Sequence, residues 1–371
     1  MEDIMLEKRF DVVGSFLRPE NLKKARSDFE KGRISADDFD AVKKDEIKKL
    51  VEKQKKAGLP YITDGEFNRK FWHLDFFWGF GGIGHKKDGG GVQFSGEVAD
   101  LEDTFLTGKI YAGTHPFVED FKFLKSLESP GFEAKQTIPS PAQLLQQLNI
   151  PKNFAATRKI YPSNEELIED IAGAYRDVIR QLYDAGCRTL QLDDCTWGAV
   201  VGEAAAQRYE KLGSLKEVKE QLLKVNNLAL EGKPAGLEVN THICRGIYHS
   251  TFFTSGPYDT VADYVFAKEN VSRLYLEYDD GRSGGFSPLS KVSPDKKVVL
   301  GLVTTKKAEL EDKDAVAGRI MEAAKYIPLD RLYLSPQCGF ASCEIGNKLT
   351  EDEQWAKIAL VREIAEEVWK S

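Results

Sequence analysis

Residues 165–194 read EELIEDIAGAYRDVIRQLYDAGCRTLQLDD, and the fold is decided there. Leu167, Ile168, Ile171, Tyr175, Val178, Ile179 and Leu182 recur at three- and four-residue spacing, which sets them on one face of a helix over Glu165–Ala185. Gly186 ends that helix, and Cys187–Leu192 reads as a strand that runs out onto two acids, Asp193 and Asp194. An amphipathic helix feeding an apolar strand with polar residues at its far end is the repeating half of a parallel α/β fold.

The same alternation extends in both directions. Strands are predicted at 10–16, 61–65, 134–138, 187–193, 236–241, 273–278, 297–303 and 331–335. Helical stretches are predicted within 21–58 and over 142–148, 165–185, 204–209, 215–230, 261–269, 314–325 and 351–369. Eight strands separated mostly by helices predict a single-domain (β/α)8 TIM barrel spanning 1–371. A doubly wound sheet is the alternative, but no G-x-G-x-x-G follows the first strand and eight units suit closure better. One stretch breaks the rhythm. F-W-H-L-D-F-F-W-G-F at 71–80 is followed by G-G-I-G-H-K-K-D-G-G-G-V, too glycine-rich for a helix or a central strand. Residues 70–112 are therefore expected to leave the barrel after the second strand as an inserted lid or wall, with a mobile glycine loop and a short hairpin over 98–111. The competing reading has its aromatics covering the barrel end or a contact in a homo-oligomer.

Bulk composition narrows the partners. With 371 residues, 42% hydrophobic and 30% charged, the chain is an ordinary globular protein large enough for one barrel. A net charge of -7 without a Lys/Arg block argues against nucleic acid as main partner, and no apolar run approaches a membrane span. MEDIMLEKRF lacks the basic-then-apolar pattern of a leader, and five thinly spread cysteines fit free thiols or metal ligands in a reducing compartment, so the cytoplasm is expected.

In a barrel, functional groups gather at the C-terminal strand ends. Here those ends carry Ser15, Asp64, Glu66, Asp193, Asp194, His242, Cys244, Glu277, Asp279 and Cys338. In T-H-I-C-R, His242 and Cys244 stand two apart on a strand and so face one spot. With Glu277 and Cys338 they form a nitrogen, sulfur, oxygen, sulfur set suited to tetrahedral zinc. A carboxylate is the ligand best able to give way to an incoming atom, and zinc keeps a bound thiol ionised at neutral pH. The bland alternatives are a core histidine at 242 and a cap or ion-pair carboxylate at 277.

T-H-I-C at 241–244, L-E-Y at 276–278 and S-P-Q-C-G at 335–339 resemble the three zinc-ligand segments of the cobalamin-independent methionine synthase family. V-V-G-S-F at 12–16, D-G-E-F-N-R at 64–69 and Q-L-D-D at 191–194 are further matches, so the resemblance covers about residues 10–370. It implies a barrel zinc on His242, Cys244, Glu277 and Cys338 that activates the homocysteine thiol to take the methyl group of methyltetrahydrofolate, the co-substrate. It also implies carboxylate recognition by Gly14 and Ser15, and ammonium recognition by Glu66 and Asp193. For the folate, Trp72, Trp78 and Trp197 are candidates to stack on the pterin and Asp194 to engage its ring nitrogens. Asp194 stands where the family usually has Glu, Cys195 where it has Pro, and Gln337 where it has Asp. The full-length family enzyme carries two similar barrels and this chain is long enough for one, which leaves the donor open. A methylated corrinoid in place of folate, an epoxide and coenzyme M pair, a metal-free decarboxylase-like barrel and a binding barrel with a structural zinc are the alternatives.

Overall fold

The computed structural model describes residues 8–87, 91–100, 102–202 and 205–370. The leader reading of residues 1–7, part of the glycine-rich run at 88–90 and the first residue of the helix predicted over 204–209 lie outside them.

Seven strands pair in parallel in chain order: β1 Tyr61–Ile62, β2 Glu133–Pro139, β3 Thr189–Asp194, β4 Glu238–Ile243, β5 Arg273–Glu277, β6 Lys297–Val303 and β7 Leu332–Pro336. All residues of β3 and β5 are buried, as expected of strands covered on both faces. The sheet curls into a TIM-barrel-like fold.

The eighth position departs from expectation. Residues 10–16 make a single parallel bridge, Phe10 to Leu334 in β7, rather than a full strand. Asp11 N–H donates to Leu334 O at 3.0 Å, and at the other edge Phe16 N–H donates to Gly65 O at 3.1 Å, so the segment closes the seam between β7 and the turn after β1. Side chains from the interior displace the ladder in between. Val12 O accepts from Lys135 Nζ at 2.6 Å, Val13 O from Gln191 Nε2 at 2.8 Å and Gly14 O from Thr63 Oγ1 at 2.8 Å. These bonds satisfy the carbonyls without a neighbouring strand. Gly14 sits at φ 145, and a Cβ there would lie 2.8 Å from Thr137 Cγ2, so the turn that presents Ser15 requires glycine.

The helices follow their caps. Ser163 accepts from Glu166 N–H ahead of Asn164–Asp184, and Ser214 with Glu217 forms a capping box ahead of Leu215–Ala229. The predicted helix at 261–269 is instead two short turns, Asp259–Ala262 and Val265–Lys268.

The excursion is a two-stranded arm. Phe80–Lys86 pairs antiparallel with Asp103–Ala112, and Gly91–Gln93 pairs with Val98–Asp100 at its tip. The expected glycine loop and the short hairpin over 98–111 are thereby corrected: G-G-I-G-H-K is a strand. Its glycines serve close crossing, because Gly82 sits at φ 83 and a Cβ there would meet Lys109 O at 2.1 Å. At the base, Phe76 packs on Phe80, His115, Phe117 and Tyr175, a wall against the helix Asn164–Asp184. At the tip, Phe94 packs on Tyr248 and Phe253 with centroids 5.3 and 5.6 Å apart, and Ser95 N–H donates to Phe252 O. Glu97 pairs with His249 at 2.6 Å and with Lys348. No helix among the described residues is long and apolar enough to cross a membrane.

Candidate active site

The ends of β4, β5 and β7 bring His242, Cys244, Glu277 and Cys338 together, with one ligand atom of each within 4.8 Å of the others and all four side chains buried. The two sulfurs are 3.6 Å apart. Two sulfurs at zinc-bond length in a tetrahedron are about 3.8 Å apart, so the spacing fits a shared metal. The unpaired atoms fit as well. Neither ring nitrogen of His242 has a hydrogen-bond partner, nor has Glu277 Oε2. Buried polar atoms left unpaired are costly, and a nitrogen and an oxygen left so beside two sulfurs form a donor set that a divalent cation such as zinc would satisfy. Burial pushes the Glu277 carboxyl up to about 8, with Cys244 adding to it. Hydrogen bonds from Cys195 and Cys338 hold the Cys244 thiol well below the ordinary range, while their own thiols are pushed up by the same contact.

His242, Cys244 and Cys338 face a cavity of about 590 Å³, and Glu277 is buried outside its lining. Ser15, Glu66, Trp72, Asp193, His242, Cys244 and Cys338 line it. Glu66 and Asp193 share its wall as two buried acids. Burial pushes Glu66 up to about 7 against the pull of Arg69, and Asp193 up to about 6 against the pull of His242. Glu66 Oε2 has no partner, although Arg69 Nη1 lies 3.7 Å from its other oxygen. Glu66 also holds φ at 61, a strained conformation for a residue with a side chain, and is kept there by Arg18 donating to its carbonyl at 2.7 Å. Asp193 is oriented by Gln191 Nε2 at 2.8 Å. The Ser15 hydroxyl accepts from Ala341 N–H at 3.3 Å, and a Cβ on Gly339 would stand 1.8 Å from it, so the turn after β7 is shaped around Ser15.

The other expected residues are elsewhere. Gly14 lies behind Ser15 and does not line the cavity. Asp194 is fully buried and engaged, accepting from Thr196 N–H and hydroxyl at 2.8 and 2.5 Å and from Asn226 at 3.0 Å. Trp197 is buried outside the lining. Trp78 belongs to the arm, where it donates to Thr104 Oγ1 at 2.9 Å and stacks on His85. Of the four candidates for the pterin, Trp72 alone lines the cavity. The sequence reading missed Gln143, Gln146, Arg208, Tyr209 and Phe253, which line its far side from helices after β2 and β3 and the loop after β4. It also missed Cys195 as a neighbour of the metal ligands. Its place directly after the acid pair of β3 was the available signal.

A family model described as the catalytic domain of cobalamin-independent synthase matches residues 11–89 and 153–367, more than three quarters of the chain. The chain belongs to the cobalamin-independent methionine synthase family. Within it, the chain is 44% identical to the uncharacterized protein YxjG of Bacillus subtilis, over 98% of this chain and 95% of that one. It is 24% identical to a methionine synthase of Saccharolobus solfataricus over 88% of this chain and 86% of that protein. A structure of a B12-independent methionine synthase from Shewanella shares the fold, with a TM-score of 0.69 at 19% identity over 98% of both chains. The family is one of methyltransferases, and three of the four residues of a candidate metal-binding group line this member's cavity.

Proposed function

We propose that this family member is a zinc-dependent S-methyltransferase that converts homocysteine to methionine with 5-methyltetrahydrofolate as donor. The observation that carries the reading is the sharing of one cavity wall by the His242, Cys244, Cys338 donor set and by the acids Glu66 and Asp193. His242, Cys244, Glu277 and Cys338 would hold zinc, which when bound lowers the pKa of a substrate thiol. Glu66 and Asp193 receive the substrate ammonium, whose charge relieves the repulsion and desolvation that raise both carboxyls. The Ser15 hydroxyl, which lines the cavity, receives the carboxylate, and Gly14 behind it shapes the turn. The substrate is thereby fixed at its amino-acid end, with its sulfur directed to the donor set. Transfer forms the sulfur–methyl bond as the methyl–N5 bond breaks, and N5 takes up a proton. A sulfonate thiol such as coenzyme M would set an anion against the two acids, which disfavours that alternative.

Trp72, on the cavity wall, offers a face for the pterin, and the arm, whose Gly91, Val92, Phe94 and Ala99 line the cavity, acts as its lid. The test is methionine formation from homocysteine with the mono- and polyglutamyl forms of methyltetrahydrofolate and with methylcobalamin, alongside metal content of the same sample. Methionine from a folate donor and about one zinc per chain are expected. A metal-replete protein that forms no methionine from any of the three donors would refute the reading.

A further inference from the structure

Glu277 is held unevenly. Its Oε1 accepts from Arg245 N–H at 2.6 Å, and its own N–H donates to the Tyr258 hydroxyl at 3.1 Å. Its Oε2, equally buried, has no hydrogen-bond partner. Across from it stands Arg282, whose Nη2 is 4.0 Å from Oε2. That is near enough for charge attraction and about 1 Å too long for a hydrogen bond. The rest of the guanidinium is fixed. Nε donates to both oxygens of Asp280 at 2.9 and 2.8 Å, Nη2 lies 3.5 Å from Asp279, and the plate rests over the Phe252 ring at 4.2 Å. Lys306 pairs with Asp279 and Asp280, so those acids do not depend on Arg282 alone. Arg282 Nη1 is buried without a partner. An unpartnered carboxylate oxygen on a proposed metal ligand thus faces a guanidinium that other acids hold in place and that keeps one nitrogen unpaired.

We propose that Arg282 is the second seat of the Glu277 carboxylate, a positioning residue that takes it when the substrate thiol enters the metal shell. The inference rests on the zinc–thiol reading and deepens it. A carboxylate leaving the metal inside a buried site has no water to receive it, and a free buried anion would oppose its own release. Arg282 supplies charge and two donors within a small side-chain rotation, already oriented by Asp280 and Phe252. The thiolate then enters without having to strand an anion, and the carboxylate returns when the neutral thioether leaves. The guanidinium fork matters as well as the charge, since Nη2 stands 4.0 Å from Oε2 and Nη1 is buried with no bond to give up.

The test compares the zinc-loaded wild-type protein with Arg282→Gln and Arg282→Lys. X-ray absorption at the zinc edge is read with and without homocysteine, together with zinc stoichiometry and the homocysteine Kd. The wild type is expected to exchange one oxygen ligand for a third sulfur. Arg282→Gln should bind zinc equally but retain the oxygen ligand on addition of homocysteine, with Kd weakened at least about tenfold. Arg282→Lys should exchange partially. Complete exchange with unchanged Kd in either variant would overturn the role of Arg282, and if Arg282→Gln fails to fold, Arg282→Lys decides on the same readout. A wild type that binds zinc but never gains a sulfur would overturn the thiol-activation reading itself, and this inference with it.

Discussion

Single side chains divide the proposed metal half of the site from the proposed amino-acid half, and substitutions separate the two. Cys338→Ser removes one of the two sulfurs that stand 3.6 Å apart, and a hydroxyl is a poor ligand for zinc at neutral pH. Most bound zinc and essentially all methyl transfer should be lost, as measured by metal content and methionine yield. Asp193→Asn keeps the shape and the Gln191 contact but removes one of two charges awaiting the ammonium. It should raise the homocysteine KM about tenfold or more and leave zinc stoichiometry unchanged; normal homocysteine binding in that variant would refute the ammonium assignment. The clustering of the four candidate metal ligands was legible because its chemistry is local: His-x-Cys on a strand, an acid and a cysteine at two further strand ends. Arg282 and the orphaned oxygen of Glu277 were not legible, because their relation depends on a 4.0 Å approach that no spacing encodes. Two of the three aromatic candidates stand away from the cavity for a related reason. A tryptophan's type says that it buries area, and only packing says where, so Trp78 serves the arm and Trp197 the core.

Elements show where periodicity misleads. Strands β2 to β7 fall within a few residues of their predicted bounds, since runs such as KVVLGLV are apolar on both faces and LQLDD ends an apolar stretch on two acids. The glycine-rich strand at 80–86 defeats the same reasoning, because its glycines answer a crossing with Lys109 and Tyr111 that lies some 25 to 30 residues away. Gly82→Ala forces a Cβ onto Lys109 O at a left-handed φ, so the arm should open to limited proteolysis well before the barrel does. Gly339→Ala tests the other tight approach. Its Cβ displaces the Ser15 hydroxyl, and a weakened homocysteine affinity with at most about 1–3 kcal/mol of lost stability is expected from binding and denaturant titrations.

Across the whole molecule, buried charge sets the conditions under which the barrel is stable. Lys135, with no exposed side-chain surface, pairs with Asp11 at 2.8 Å beneath the site, and Tyr275 donates to the same carboxylate at 2.5 Å. Lys135→Met leaves that carboxylate without its cation and should cost about 3–5 kcal/mol in urea unfolding. Glu269 is fully buried against Asn226, and burial, then Asp194, pushes its carboxyl up to about 8 from an ordinary 4.5. The native state therefore keeps a proton that the unfolded chain releases. Stability from this group is whole below about pH 4.5 and is lost as pH rises through about 8. The melting temperature should fall by a few degrees between about pH 5.5 and 8.5, and Glu269→Gln should flatten that fall.

The seam at residues 10–16 has a consequence for biosynthesis. Phe10 pairs with Leu334 and Ser15 with Ala341, partners more than 320 residues apart. During synthesis the early segment has neither, and its carbonyls also wait for Lys135 and Gln191. Ribosomes add about 5–20 residues per second, so tens of seconds separate the two halves of the contact. Throughout that interval the nascent chain carries Ser15 without the turn that seats it, and in its last part His242 and Cys244 without Cys338. The candidate metal set and the seat of Ser15 are thus both completed only once the chain has been made past residue 341, so a prematurely terminated product lacks both by its own topology.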